Sequence, residues 1–113
     1  MSILIIREPA AAAQIAEMQE TLGNFIKLAV DLECGILAGG GELHADCEQA
    51  LLDGGSKRES VWGGDWFPDI QEVGFESLIN IRPRQGNCSL ELQSPDLRKQ
   101  FEAIVRRLLE VEA

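Results

Sequence analysis

The sequence predicts an α+β fold, in which a mainly antiparallel sheet has helices packed on one face, in a single domain over residues 1–113. Three observations lead to this class. Apolar side chains recur at helical spacing near both ends of the chain, they alternate with period two in between, and hairpin-type turns separate the alternating runs. Helices and hairpin-connected strands in this arrangement are typical of α+β domains. The length of 113 residues is also usual for one domain.

The N-terminal half is predicted to contain a strand, a helix and a hairpin. Residues 2–6 form a short apolar run without alternation, which indicates a strand buried on both faces. A helix follows, with Pro9 suited to its first turn and Gly23 to its end. Two alternating strands are then predicted over residues 26–38, joined by a turn at residues 33–35.

The segment Glu42–Leu52 fits two structures. Strict alternation through Glu48 is compatible with a strand, whereas the apolar spacing and the content of Ala, Leu, Glu and Gln are compatible with a helix. The sequence slightly favours the helix, because Asp53-Gly54-Gly55 provides a suitable end for it.

The C-terminal half is predicted to be rich in strands before it ends in a helix. A strand begins at residues 61–62, and the glycines of residues 63–65 indicate a bulge or turn. Residues 73–81 alternate most clearly of all, and residues 88–92 alternate again after a turn. The final helix covers residues 94–109, with a serine at its N-cap, a proline at its first position and a long amphipathic face.

Composition limits the classes of function. Nineteen acidic and ten basic residues give a net charge of −9, which disfavours general nucleic-acid binding or a membrane-surface role. The cysteines Cys34, Cys47 and Cys88 are odd in number and form no Cys-x-x-Cys pair, so reduced thiols are expected rather than a disulfide framework. The apolar run over residues 3–6 is too short for a signal peptide or a membrane span. We expect a cytoplasmic protein without a cofactor.

The densest group of polar side chains follows a run of three glycines. It consists of Glu42, His44, Asp46 and Glu48, and it contains the only histidine of the chain. On a strand these side chains would share one face, where the carboxylates and the imidazole could hold a divalent metal or His44 could act as a base. The alternative is a solvated acidic surface, since none of the usual metal-ligand spacings is present.

A second polar group could bind an anion. Asn80 and Arg82 share a face of a predicted strand, while Arg84 and Asn87 lie in the turn that follows. Guanidinium and amide groups can bind a carboxylate or phosphate in bidentate fashion. The alternative is that these residues neutralise acids of the same chain, such as Glu76 or Glu91.

Two tryptophans flank the second glycine pair. Trp62 and Trp66 lie four residues apart, so in an extended chain they share a face and each can bury a large area. Core packing is the expected arrangement. A partly exposed pair would instead mark a surface for a protein partner.

Three segments together resemble a known family. They are residues 37–46 (LAGGGELHAD), residues 62–66 (WGGDW) and residues 77–83 (SLINIRP). The chain is similar here to a family of small uncharacterised bacterial proteins, common in cyanobacteria, that is classified as a domain of unknown function. The resemblance covers the chain from about Ile26 onward. It implies a bacterial cytoplasmic single-domain protein, and it implies no activity, cofactor or functional residue.

The sequence therefore predicts a small non-enzymatic binding or regulatory protein that forms a homodimer or binds another protein. One alternative is a small metal-dependent hydrolase or nuclease that uses Glu42, His44 and Asp46. Another is a small-anion sensor built around Arg82 and Arg84. If the regions of His44 and Arg82 converge on one cleft, the hydrolase or the sensor is favoured, and if they lie far apart on open surface, the binding protein is favoured.

Overall fold

A computed structural model of the chain describes residues 3–111. In chain order its elements are β1 (Leu4–Ile6), α1 (Ala12–Gln19), β2 (Ile26–Asp31), β3 (Ile36–Gly39), α2 (His44–Asp53), β4 (Val61–Phe67), β5 (Glu72–Gly74) and α3 (Pro95–Leu109). The strands form one sheet in the order β1-β3-β2-β4-β5, and each neighbouring pair is antiparallel. The predicted α+β class with an antiparallel sheet is confirmed. Ser2, part of the first predicted strand, lies outside the described residues.

The hairpin between β2 and β3 is fixed by one buried carboxylate. Asp31 accepts hydrogen bonds from the backbone N–H groups of Glu33 and Cys34, at 2.9 and 3.0 Å, and from the Ser56 hydroxyl at 2.7 Å. Burial raises the pKa of the Asp31 carboxyl, but the hydrogen bonds from Ser56, Cys34 and Glu33 outweigh it, so this pKa lies below its ordinary value. Gly35 completes the turn with a φ of +70°, which favours glycine. The predicted hairpin is confirmed.

The helices lie on both faces of the sheet, which corrects the expectation that they share one face. The connection from β1 through α1 to β2 crosses β3, and the connection from β3 through α2 to β4 crosses β2. Both connections run toward the β5 edge of the sheet. However, the parallel strands β1 and β2, which the first connection joins, are antiparallel to β3 and β4, which the second joins. Crossovers of the same handedness must then pass over opposite faces, and right-handed crossovers are nearly universal. α2 therefore packs on the face opposite α1 and α3.

The first face carries the larger core. Side chains of β2, β3 and β4 on this face pack against α1 and α3, and the buried members are Ile6, Ile15, Met18, Ile26, Leu28, Val30, Leu37, Trp62, Trp66, Leu92, Phe101, Val105, Leu108 and Leu109. α3 begins as predicted, because Ser94 Oγ accepts a hydrogen bond from the Leu97 N–H at 3.3 Å and Pro95 occupies the first helical position. Burial of this apolar face is the main source of stability for the helix.

The second face has a smaller core and an open part. Ala29, Ala38 and Val61 of the sheet pack against Cys47 and Leu51 of α2. The slight preference for a helix in this segment is confirmed, although α2 begins at His44 rather than at residue 42. α2 covers the sheet only in part, and its N-terminal end lies beside the open part.

Gly63 and Gly64 do not form the predicted bulge or turn but lie inside the regular strand β4. A Cβ atom on Gly63 would lie 2.6 Å from the Ser77 Cβ, and one on Gly64 would lie 2.6 Å from the Phe101 ring. Groups packed on both faces of β4 thus approach the backbone too closely for a side chain. The two glycines are needed for close packing rather than for a change of direction.

Three predicted elements differ from the structure. The strand predicted over residues 73–81 ends at Gly74, and a 3₁₀ turn, Leu78–Asn80, takes the place of its second half. The strand predicted over residues 88–92 is reduced to a single bridge between Glu76 and Glu91. α1 is shorter than predicted, with Pro9 before it and Gly23 beyond it.

Candidate functional site

His44 forms a side-chain pair with an aspartate that is distant in sequence. As the first residue of α2, it places its Nε2 atom 3.0 Å from Asp65 Oδ1 and 3.0 Å from the backbone oxygen of Gly64. Both partners are acceptors, so Nε2 carries the proton and Nδ1 keeps the lone pair when the ring is neutral. The two side chains are each 14% exposed. The pair therefore lies just below the surface, where a bound group can reach it.

The other members of the predicted metal group do not join this pair. Glu42 is exposed, and its backbone oxygen accepts a hydrogen bond from the Lys27 ammonium at 3.0 Å. Asp46 lies in the first turn of α2, and Glu48 bonds to Arg82. Because the segment is a helix, the four side chains do not share a single face. Within residues 3–111, no three His, Cys, Asp or Glu side chains come together in a way that could hold a metal ion.

Asn80, a predicted anion ligand, is buried and pairs with the outer edge of β4. Its Oδ1 accepts from the Gly63 N–H at 2.8 Å, and its Nδ2 donates to the Gly63 oxygen at 2.9 Å. The side-chain amide thus replaces a neighbouring strand at a point that β5 does not reach. The same Nδ2 also contacts the backbone oxygens of Phe75 and Leu90, at 3.3 and 3.2 Å. No part of this amide is free for an anion.

Arg82 is likewise engaged by groups of the same chain. Nε donates to the Ile79 oxygen at 2.9 Å, Nη1 donates to the Arg58 oxygen at 2.6 Å, and Nη2 donates to the oxygen of Val61 and to Glu48 Oε2. The side chain is only 11% exposed, and burial lowers the pKa of its guanidinium. The guanidinium also lies 4.5 Å from the ring centroid of Trp62. Arg82 therefore joins α2, β4 and the 3₁₀ turn, and His44 is not among its partners.

The two remaining anion candidates differ from each other. Asn87 is buried, and its amide donates to backbone oxygens of Asn80, Ser89 and Glu91 between 2.8 and 3.0 Å. Arg84 is exposed and forms no hydrogen bond or ion pair with the other described residues. Of the four predicted anion ligands, three thus bond to groups of the same chain, and Arg84 alone has no partner among the described residues.

Trp62 and Trp66 are 2% and 0% exposed, so both belong to the core. They share one face as predicted. The core-packing alternative therefore describes them, and neither side chain forms a partner surface in this structure.

The open part of the second sheet face contains two cavities that meet at the His44–Asp65 pair. The smaller has a volume of about 140 Å³ and is lined by Lys27, Leu43, His44, Ala45, Leu78 and Ile79. The larger has a volume of about 340 Å³ and is lined by Asp65, Phe67, Gly74, Phe75, Glu76 and Glu91. Since His44 lines one and Asp65 the other, the cavities adjoin across one hydrogen bond. We name the two cavities together the His44 cleft.

The sequence pattern singles out His44 but not its partner Asp65. The glycines beside it predict a turn at Asp65, yet Asp65 lies two residues after Gly63 in β4 and so shares its face of the strand, the face that α2 covers. That alternation is the signal that could have placed Asp65 beside α2.

The class of protein that these features define is a small α+β domain with a cleft at the open end of its second sheet face. The family model "Protein of unknown function (DUF5674)" matches residues 4–108, and the chain belongs to this family. The match begins well before Ile26, so the similarity also includes β1 and α1. No curated protein and no solved structure matches the chain. None of the helices in residues 3–111 is long and apolar enough to cross a membrane.

Proposed function

We propose that this protein is a non-enzymatic binding protein that docks an apolar side chain of a partner in the His44 cleft. The observation that carries the proposal is the exposure of Leu78 (76%) and Leu43 (57%), which line the same small cavity. Large aliphatic side chains that remain in water around one cavity are typical of a surface that a partner covers.

Both walls of the smaller cavity are held in place, which supports the proposal. Leu78 begins a 3₁₀ turn whose Ser77 cap accepts a hydrogen bond from the Ile79 N–H at 3.2 Å, and Asn80 ties the same turn to β4. Leu43 directly precedes His44, which is fixed by Asp65. A site that is already ordered loses little conformational entropy when a partner binds.

The reactive side chains near the cleft favour binding over nucleophilic catalysis. Cys47, three residues after His44, is buried, and this burial raises the pKa of its thiol to about 11. A thiol with this pKa supplies very little thiolate near neutral pH. Ser77 is buried beside Gly63, and its hydroxyl oxygen accepts from a backbone N–H.

The proposal can be tested by NMR with isopropanol as a small apolar probe. We expect the amide shifts of Leu43, His44 and Leu78 to respond first as isopropanol is added. Leu78→Ser should abolish this response, because it removes the largest apolar surface at the cavity. Ile70→Ser is the matched control, since Ile70 is 62% exposed but does not line the cleft. A uniform response over the surface, or an equal loss in both variants, would contradict the proposal.

The metal-dependent alternative keeps His44 as its central residue, because Nδ1 is available for a ligand bond. Metal binding requires a neutral imidazole and hard oxygen donors, which Glu42 or Asp46 would have to supply. Titration with manganese, zinc and magnesium on the wild type and on His44→Ala separates the two functions. We expect weak and equal binding by both proteins. Tight binding that is lost in His44→Ala would favour the hydrolase.

Self-association through the same apolar side chains is the alternative to binding a different partner. A symmetric dimer would cover Leu78 on each copy. Sedimentation at high protein concentration tests it, and a monomer that persists would argue against it. The bacterial source and the cytoplasmic location stay predictions from the sequence.

A further inference from the structure

The two cavities of the His44 cleft differ in chemistry. The smaller is lined mainly by aliphatic groups, whereas the larger is lined by the acidic residues Asp65, Glu76 and Glu91 together with Phe67, Gly74 and Phe75. Carboxylates are the side-chain groups that attract an ammonium or guanidinium ion. The larger cavity thus favours a cationic group, whereas the smaller favours an apolar one.

One of these carboxylates already has a cationic partner, although the guanidinium also packs on the α3 side of the sheet. Arg98 lies 4.8 Å from the ring centroid of Phe75, and its Nη2 lies 3.7 Å from Glu91 Oε2. Neither Asp65 nor Glu76 is paired with a lysine or arginine within residues 3–111, and Asp65 has only the His44 ring as a side-chain donor. Asp65 also lies opposite Lys27 in the register of β2 and β4, so Glu76 is the carboxylate that remains to attract an external cation.

Charge also distinguishes between the molecules that could bind in the cleft. The chain has a net charge of −9, so a second copy would bring further carboxylates against Asp65 and Glu76. An anionic ligand meets the same net negative charge, which the single ammonium of Lys27 in the smaller cavity offsets only in part. The same negative charge attracts a basic partner, whereas it repels a second copy of the chain or an anionic ligand.

We propose that the partner is a basic protein segment that places an aliphatic side chain in the smaller cavity and a lysine or arginine in the larger. This inference rests on the proposed function and specifies its partner. The cavities adjoin at a single hydrogen bond of 3.0 Å. Side chains two residues apart in an extended peptide lie about 7 Å from each other on one face, which suits two adjoining cavities.

Capped pentapeptides test the inference by NMR titration at low ionic strength. The probe is Ala-Leu-Ala-Lys-Ala, and the controls are Ala-Leu-Ala-Glu-Ala and Ala-Ser-Ala-Lys-Ala. We expect the probe to bind about fivefold more tightly than either control, the gain that one exposed ion pair or one small apolar contact provides. Glu76→Gln should remove the preference for lysine over glutamate, while Leu78→Ser should remove the preference for leucine over serine. Glu72→Gln is the matched control, because Glu72 is an exposed acid on β5 outside the cleft.

The outcomes distinguish the two proposals. Equal binding of the lysine and glutamate peptides, both lost in Leu78→Ser, would overturn the basic partner and leave apolar docking intact. Failure of every leucine peptide to bind would overturn both. A dimer in sedimentation that resists the probe peptide would assign the cleft to a second copy and also overturn the basic partner.

Discussion

The layer of side chains beneath α3 and the outer edge of β4 are both buried, but they are built from different chemistry. Beneath α3, Phe101 and its neighbours pack as apolar groups on the first sheet face. At the edge of β4, Asn80 and Arg82 complete the sheet with hydrogen bonds to Gly63 and Val61 where no strand is present. Asparagine and arginine close together in sequence can thus be structural parts of a sheet edge rather than a ligand site.

The two regions should fail in different ways when they are altered. Truncating an apolar side chain leaves a cavity whose cost depends on how far the neighbours relax. Removing a polar side chain from the β4 edge leaves a buried donor or acceptor unpaired. Variants of both regions measure this difference.

The largest effect is expected under α3. Phe101 is fully buried and lies against Gly64, so Phe101→Ala should lower the free energy of unfolding by about 3–5 kcal/mol. Urea denaturation measures the change, and Phe67→Ala, at a half-buried position on the other face, should cost less. An unchanged urea midpoint for Phe101→Ala would mean that α3 does not hold the core together.

Asn80→Ala should have the next largest effect, about 2–4 kcal/mol, because it leaves the Gly63 N–H and oxygen without partners in a buried place. A local readout separates this cause from a general loss of packing. Hydrogen exchange of the Gly63 amide should accelerate more than that of the Leu28 amide on the neighbouring strand. Asn24→Ala, at an exposed position, serves as the control. Equal stability of both asparagine variants would contradict the structural role of Asn80.

Arg82→Met tests the ion pair at the same edge. The methionine retains an apolar stem near Trp62 but leaves the Glu48 carboxylate, 13% exposed, without its cation. We expect a loss of about 2–3 kcal/mol, since a largely buried charge without a partner is costly. Adding Glu48→Gln should restore part of the loss, because it removes that charge. Purely additive effects of the two substitutions would show that the pair is not coupled.

The elements that the sequence predicted correctly depend on local signals. α3 has a serine cap, a proline at its first position and a long apolar face, and each of these lies within a few residues of the others. The hairpin of β2 and β3 similarly follows from alternation and a short glycine turn. Such signals act before distant contacts form, so one sequence is enough to recognise them.

The predictions that were wrong concern distant contacts. Residues 73–81 alternate well enough for a strand, but Asn80 and Arg82 already occupy the edge of β4 with which the second half of that strand would pair. The pair of His44 and Asp65 joins residues 21 positions apart, and it exists because the handedness of the crossover brings α2 over β4. Apolar periodicity predicts neither arrangement, since the first depends on backbone groups left unpaired at a distant sheet edge and the second on the handedness of a crossover.

Asp31→Asn tests a buried charge whose carboxylate oxygens accept hydrogen bonds from the hairpin backbone and from Ser56. The Asp31 pKa is below its ordinary value of 3.8, so the ionised form stabilises the fold above that pH, and the contribution is lost as the pH falls through the lower pKa of the folded state. We expect Asp31→Asn to cost about 1–2 kcal/mol near neutral pH, because charged acceptors form stronger hydrogen bonds. The difference from the wild type should shrink in urea titrations below pH 3.8. A constant difference at all pH values would assign the effect to packing.

The smallest effect is expected at Arg84, two residues from Arg82. Arg84 is exposed and has no hydrogen-bond or ion-pair partner among the described residues, so Arg84→Ala should change the free energy of unfolding by less than about 0.5 kcal/mol. The same variant tests the anion sensor, because Arg84 is the one predicted anion ligand whose guanidinium the chain does not already use. Phosphate should raise the melting temperature equally in the wild type and in Arg84→Ala, through general ionic effects alone. A shift that saturates in the wild type and disappears in Arg84→Ala would establish an anion site at this turn, and the difference between the two arginines would then be one of function as well as burial.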